Sequence, residues 1–114
     1  MHEFSIAEGM MTTIEQVVKP VRPLTKAFVT LGPFSGVSPE ILAFCFPEVA
    51  NLHGYGKPEL VVNRAPARMR CVCGNEYAVA DVFSVCPCCG SLDRDVLSGR
   101  ECTLDSVEVE DDHV

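Results

Sequence analysis

The chain has 114 residues, 47% of them hydrophobic and 22% charged, and its formal net charge at pH 7 is −7. A chain of this length can bury one modest core and carry a small appended lobe, but it is too short for two independent cores. Its nine Lys and Arg residues, against 16 Asp and Glu residues, argue against a general nucleic-acid binder, since phosphate contacts require clustered basic side chains.

The start of the chain does not have the composition of a secretory signal, because Glu3 and Glu8 occupy the region that would be basic. No apolar run in the sequence approaches the length of a membrane span. We therefore expect a cytoplasmic protein with no membrane partner. We also expect it to be a monomer or a weak homodimer. In a reducing compartment, paired cysteines are more readily explained as metal ligands or redox groups than as disulfides.

Apolar residues at helical spacing predict a first amphipathic helix that begins near Phe4. Pro20 would prevent this helix from continuing. The centre of its apolar face would carry Ile6, Met10, Ile14 and Val17, flanked by Ala7, Met11 and Val18. The alternating segment Thr25–Leu31 then predicts a strand with Ala27, Val29 and Leu31 on one face, closed by a Gly-Pro turn.

A second helix is predicted to begin at Pro39, with Ser38 as its N-cap. Pro47 either kinks this helix or ends it, because proline removes one backbone hydrogen bond and crowds the preceding turn. A second strand is predicted at Glu59–Asn63 and a final one from Cys102 to Val109. The segment between Gly90 and Ser98 is predicted to be a polar connector.

Together these elements predict an α+β fold in which two helices pack on a three-stranded sheet, with a four-cysteine zinc-ribbon lobe inserted between the last two strands. The expected domains are an α/β domain formed by residues 1–67 and 93–110 and a zinc-binding lobe formed by residues 68–92. The remaining residues, 111–114, are predicted to be a disordered acidic tail.

Five of the seven cysteines lie between Cys71 and Cys89, as two tight groups around a short insert. Two hairpin tips that each supply two thiolates can place four ligands around Zn(II), which binds in tetrahedral geometry. A glycine directly after the last cysteine of each group allows the turn that points backbone N–H groups at the sulfurs. We predict the ligand set Cys71, Cys73, Cys86 and Cys89, with Cys88 as the reserve ligand.

Other functions of these cysteines are less well supported. A catalytic zinc would keep an open coordination position and usually recruits His or carboxylate ligands, and the lobe contains no His. A dithiol oxidoreductase would use Cys86 and Cys89 at a helix N-terminus, but Gly90 interrupts the chain at once. Cys45 and Cys102 are predicted to be small core residues.

His2 offers a second candidate metal site. Its simplest interpretation is a solvated terminal side chain, but the amine of Met1, the amide nitrogen of His2 and the His2 imidazole can also close two fused chelate rings on one metal ion. Nitrogen donors of this kind suit Ni(II) or Cu(II), and Glu3 could add an oxygen or amide donor. His53 and His113 are predicted to be solvated.

Several short motifs are spread along residues 2–110 of the chain. They include the opening His2-Glu3, Phe34-Ser35-Gly36-Val37, Cys86-Pro87, Cys89-Gly90-Ser91, Ser98-Gly99-Arg100-Glu101 and Ser106-Val107-Glu108-Val109-Glu110. As a set, they closely resemble the HypA family of hydrogenase and urease maturation proteins, which are nickel metallochaperones. The chain departs from the family pattern at Cys71 and Cys73, whose spacing is one residue shorter than the usual pair.

The resemblance implies a nickel site at His2 with Met1 or Glu3, and a separate structural zinc in the cysteine lobe. It also implies a GTPase partner, HypB, and delivery of nickel to the large subunit of a NiFe hydrogenase, or to a urease. A protein of this kind is not an enzyme. The alternative is a zinc-ribbon adaptor that binds protein partners without transferring nickel.

Overall fold

The computed structural model describes residues 2–79, 81 and 84–110. By compactness, the chain divides into two units. The first consists of Met1–Val29, Val37–Asn63 and Leu104–Val114, and the second of Thr30–Gly36 and Arg64–Thr103. The second unit contains the expected zinc lobe, 68–92, and extends beyond it on both sides. The predicted tail, 111–114, lies outside the described residues.

The described residues form two helices and two small three-stranded sheets. The first sheet has the strand order β2-β1-β6 and the second has the order β4-β3-β5. The predicted α+β class is therefore confirmed. In chain order the elements are α1 (His2–Val17), β1 (Leu24–Leu31), α2 (Pro39–Leu52), β2 (Glu59–Arg64), β3 (Ala67–Cys71), β4 (Glu76–Val79), β5 (Arg94–Ser98) and β6 (Cys102–Val109). Over the described residues, neither helix is long and apolar enough to cross a membrane.

The first helix begins two residues earlier than predicted and buries a slightly different face. Its buried side chains are Ala7, Met10, Met11 and Ile14. Val17, which was predicted on that face, is 71% exposed. The helical spacing was predicted correctly, but the buried face is rotated toward Ala7 and Met11 relative to the predicted face. Packing against the rest of the protein decides which apolar residues of a helix are buried.

The second helix starts where the sequence predicts. Ser38 is its N-cap, and the Ser38 hydroxyl oxygen accepts a hydrogen bond from the Ile41 N–H at 3.2 Å. The helix continues through Pro47, so the alternative in which it ends there is wrong. An interior proline costs about 3 kcal/mol, but Phe46 and Val49 are fully buried. Each such side chain contributes about 1.5–3 kcal/mol, which is enough to keep the helix continuous.

Strand β1 follows the predicted alternation, since Ala27, Val29 and Leu31 are all buried. The backbone N–H of Leu24, at the start of this strand, donates to the Tyr55 carbonyl at 2.9 Å. The Tyr55 ring is also buried, and its hydroxyl donates to the Val18 carbonyl at 2.9 Å. Tyr55, which follows α2, therefore hydrogen-bonds both to the start of β1 and to the segment that follows α1.

The second sheet was not predicted. β3 pairs antiparallel with both β4 and β5 and buries Ala67, Met69 and Cys71 on one face. The prediction of a polar connector before Ser98 is therefore wrong, because β5 occupies it. The prediction that Cys102 is a core residue is also wrong. This thiol is exposed at the start of β6, which lies at an edge of the first sheet, whereas Cys45 is partly buried.

Candidate metal centres

Four cysteine sulfurs converge at one end of the second sheet. The Sγ atoms of Cys71, Cys73, Cys86 and Cys89 all lie within 4.8 Å of one another. Two of the pairs are closer, with Cys71 and Cys89 at 3.3 Å and Cys73 and Cys86 at 3.8 Å. Zinc–sulfur bonds of about 2.3 Å at tetrahedral angles place sulfurs about 3.8 Å apart, so the arrangement fits a zinc ion bound by four thiolates.

Each pair of thiols is held by a tight turn that ends in glycine. At the first tip, the Gly74 N–H donates to the Cys71 carbonyl at 2.9 Å, and at the second the Gly90 N–H donates to the Cys86 carbonyl at 2.7 Å. Both glycines have positive φ, 90° for Gly74 and 73° for Gly90. These turns have the backbone conformation that the glycine positions predict. The C-x-C spacing of the first tip is accommodated because Cys71 is the last residue of β3.

The surroundings of Cys86 favour a thiolate. Burial of this side chain opposes ionisation, but backbone N–H groups of Cys89 and Cys88 and the Asn75 amide together lower the pKa of Cys86 to about 6. The Cys88 N–H lies 3.4 Å from the Cys86 sulfur, and the Asn75 Nδ2 lies 3.6 Å from it. Sequence reasoning missed Asn75, although an amide side chain directly after the first tip is the signal that could have identified it.

The pKa of Cys71 changes in the opposite direction. The Cys73 N–H favours its thiolate, but burial and the neighbouring thiols of Cys89, Cys73 and Cys86 raise the pKa of Cys71 to about 12. Four thiols so close together cannot all ionise without a compensating cation. A zinc ion bound by these four cysteines would supply that positive charge in place of the thiol protons, which would couple metal binding to folding of the tips.

Cys88 is the one thiol of the second tip that lies outside the four-sulfur cluster. Its side chain is exposed, whereas Cys86 is buried. The negative charge of nearby thiolates, with Cys73 the most important, raises the pKa of Cys88. The geometry therefore brings together the four predicted ligands and leaves Cys88 beside them.

His2 lies at the first position of α1 and its side chain is exposed. The first N–H groups of a helix have no acceptor within the helix, so the amide nitrogen of His2 is not part of a backbone helical hydrogen bond. Met1, the other predicted nitrogen donor, lies outside the described residues.

Glu3 is held in place by the start of α2. Its Oε2 accepts a hydrogen bond from the Ser38 N–H at 2.9 Å. This bond is the main reason that the pKa of Glu3 is lowered, with smaller contributions from its own N–H and the positive charge nearby. A carboxylate has about four lone-pair sites on its two oxygens, so these hydrogen bonds leave Glu3 able to act as a metal ligand next to His2 in the chain.

His53 differs from its prediction as a solvated residue. Both of its ring nitrogens lie within hydrogen-bond distance of carboxylates on α1, Glu8 and Glu15. The sequence contains no local signal for this contact, because the two partners precede His53 by 45 and 38 residues.

Comparison with known proteins identifies the family of the chain. The family model described as "Hydrogenase/urease nickel incorporation, metallochaperone, hypA" matches residues 1–109. The chain belongs to the HypA family. The hydrogenase maturation factor HypA of Aquifex aeolicus is 34% identical over 115 residues, covering 98% of this chain and 100% of that protein. The corresponding HypA of Geobacter metallireducens is 34% identical over 111 residues, covering 96% of this chain and 100% of that protein.

Solved HypA structures share the fold. The solution structure of the Ni metallochaperone HypA from Helicobacter pylori superposes with a TM-score of 0.60 at 19% sequence identity, covering 94% of this chain and 96% of that chain. A second HypA solution structure has a TM-score of 0.61 at 20% identity, covering 96% of this chain and 97% of that chain. At these identities the likeness establishes the two-helix, two-sheet HypA architecture.

Proposed function

We propose that this protein is a nickel metallochaperone that binds Ni(II) at its N-terminus and delivers it during maturation of a NiFe hydrogenase or a urease. The observation that carries the proposal is the exposed His2 at the start of α1, in a chain whose family model describes nickel incorporation. The proposed donors are the Met1 amine, the His2 amide and imidazole nitrogens, and Glu3. The cysteines Cys71, Cys73, Cys86 and Cys89 are the proposed ligands of a structural Zn(II).

The proposed nitrogen donors suit both the selective binding of nickel and its later release to a recipient protein. Deprotonated amine, amide and imidazole nitrogens favour Ni(II) in tetragonal geometry and hold it tightly enough for selection. Because the His2 side chain is exposed, ligands of a recipient protein can approach and displace these donors one at a time. Binding should weaken as the pH falls, since the donors must lose protons to bind the metal.

The proposed zinc site stabilises the fold and does not take part in nickel transfer. Its sulfurs hold two hairpin tips together in a unit whose apolar cluster is small. Zinc can contribute about 10–16 kcal/mol of binding free energy to the folding of such a site. Four sulfur ligands leave no open coordination position on the metal, so we assign this ion a structural role and propose no catalytic activity.

The proposed partners are a HypB-type GTPase and the hydrogenase large subunit. Curated relatives are named hydrogenase maturation factors, which supports work with other maturation proteins. We propose a cytoplasmic location, because a reducing compartment keeps paired cysteines available as metal ligands.

Isothermal titration of nickel tests the binding step. Wild-type protein and His2→Ala are titrated in parallel, with His113→Ala as a control that also removes one imidazole. The proposal predicts tight 1:1 binding by the wild type and the control, and at least a tenfold loss in His2→Ala. Zinc content without tight nickel binding in the wild type would instead favour the zinc-ribbon adaptor.

A transfer assay tests the delivery step. Nickel-loaded protein is mixed with the apo form of the hydrogenase large subunit, with and without the GTPase, and nickel is followed into the recipient by mass spectrometry. Wild-type protein should transfer nickel and His2→Ala should not. Tight binding without any transfer would contradict delivery while leaving the binding site intact.

A further inference from the structure

The His53 ring bridges two carboxylates of α1 from the C-terminal end of α2. Its Nδ1 lies 2.8 Å from Glu15 Oε2, and its Nε2 lies 2.7 Å from Glu8 Oε1. The His53 side chain is 26% exposed, and those of Glu8 and Glu15 are 41% and 43% exposed. These contacts lie in the first compact unit and involve none of the proposed metal ligands.

The geometry of the contacts determines the charge on the ring. A neutral imidazole has one N–H donor and one acceptor nitrogen, whereas an ionised carboxylate can only accept. Both ring nitrogens of His53 face carboxylate oxygens at hydrogen-bond distance. Both nitrogens must therefore carry hydrogen for the two bonds to exist together, and the bridge requires an imidazolium ion.

The surroundings favour that cation from two directions. On the α1 side, the carboxylate of Glu15 and then that of Glu8 raise the pKa of His53 above its ordinary 6.5, while burial opposes them only in part. On the α2 side, His53 is the C-cap and its own N–H donates to the Ala50 carbonyl at 3.1 Å. The carbonyl end of a helix carries partial negative charge, which stabilises a positive side chain.

Among the described residues, the charged side chains recorded at hydrogen-bond distance from the His53 ring are those of Glu8 and Glu15. Lys57, the basic residue that follows in the chain, lies 3.3 Å from Glu48 and is paired there. The segment after α1 approaches through an apolar side chain, since a Cβ placed on Gly54 would lie 3.2 Å from Val21. The titratable groups that face the ring are therefore Glu8 and Glu15.

We propose that Glu8, His53 and Glu15 form a proton-dependent fastener that holds α1 on the end of α2. The two glutamates are seven residues apart, which is about two helical turns, so one ring spans both turns and resists rotation as well as sliding of α1. The Glu3 contact with Ser38 joins the starts of the same two helices. This device does not depend on the proposed nickel function.

The direction of the pH effect follows from the raised pKa. The fastener is complete below the ordinary histidine pKa of 6.5 and is lost as the pH rises through the higher pKa of the folded protein. Above that pH the ring has a single N–H and must release one carboxylate. Two ionised glutamates then face a neutral ring, and α1 is held less firmly in mildly alkaline solution.

Thermal unfolding at two pH values tests the fastener. Wild-type protein, His53→Gln and the control His113→Gln, which also removes one imidazole, are compared without added nickel at pH 6 and pH 9, and the His53 ring is titrated by NMR in the wild type. The wild-type and control midpoints should fall between these pH values by about 4 °C more than the His53→Gln midpoint. An identical pH dependence in all three proteins, or a His53 ring that titrates at or below 6.5, would overturn the proposal.

Conservative substitutions keep the test decisive if His53→Gln fails to fold. Glu8→Gln and Glu15→Gln each retain a side-chain acceptor but remove the charge, with Glu59→Gln on β2 as a control for the loss of one carboxylate. Each bridge variant should lower the NMR titration midpoint of His53, and the control should leave it unchanged. Wild-type titration in both bridge variants would contradict the fastener.

Discussion

The carboxylate of Glu3 accepts a hydrogen bond from the backbone N–H of Ser38 at 2.9 Å. This bond joins the first turn of α1, where the proposed nickel donors lie, to the N-cap of α2. A carboxylate has about four lone-pair sites on its two oxygens, so Glu3 can accept hydrogen bonds and also offer an oxygen to a metal ion. The two functions assigned to Glu3 are therefore compatible.

Replacing Glu3 by Gln should weaken the contact without abolishing it, because a neutral amide oxygen is a weaker acceptor than a carboxylate. We expect hydrogen exchange of the Ser38 amide to accelerate about fivefold, while Glu59→Gln leaves it unchanged. Nickel added to the wild type should not accelerate this exchange. If nickel does release the Ser38 amide, the carboxylate does not serve both roles at once.

The zinc ligand set can be tested by exchanging single sulfur atoms for oxygen. Cys73→Ser and Cys89→Ser should each lose stoichiometric zinc and the folded signals of both hairpin tips, because a missing thiolate removes a quarter of the coordination shell. Cys88→Ser is the matched control, since its thiol lies outside the cluster. Zinc content measured by mass spectrometry distinguishes the ligand variants from this control. Zinc loss in Cys88→Ser with zinc retained in Cys89→Ser would reverse the assignment.

Gly99 is predicted to tolerate no side chain. A Cβ at this position would lie 2.5 Å from the Cβ of Ala67, and the backbone φ of 123° is strained for any L-residue. Gly99→Ala should lower the free energy of unfolding by at least roughly 1–3 kcal/mol, the cost of one residue held in a sparsely populated conformation. Urea titration of the second unit's NMR signals measures this change.

Gly9 provides the contrasting control for that substitution. It lies inside α1, and a Cβ placed there meets nothing within 4 Å. Gly9→Ala should therefore raise the stability of the first unit by about 0.5–1 kcal/mol, because alanine favours the helix more than glycine does. Equal destabilisation by both substitutions would show that the close approach at Gly99 is not the cause.

Elements whose sequence signal is local could be predicted. The N-cap at Ser38 and the alternation through Ala27 and Val29 depend on neighbouring residues, and the structure confirms both. The four thiols converge as predicted because tight turns ending in Gly74 and Gly90 are also local features.

The second sheet could not be predicted for the opposite reason. Strand β4 has only four residues, and β5 pairs with β3 across a register shift between Arg68 and Met69. Short strands of this kind depend on pairing with distant segments rather than on their own pattern. The same holds for His53, whose role depends on how α1 packs against α2.

The proposed nickel donors include the free amine of Met1. Adding two residues before Met1 leaves every native side chain unchanged but moves the amine away from His2. We predict that isothermal titration will show at least a tenfold loss of nickel affinity in the extended protein, with its zinc content unchanged. Wild-type nickel affinity in that protein would contradict the terminal chelate.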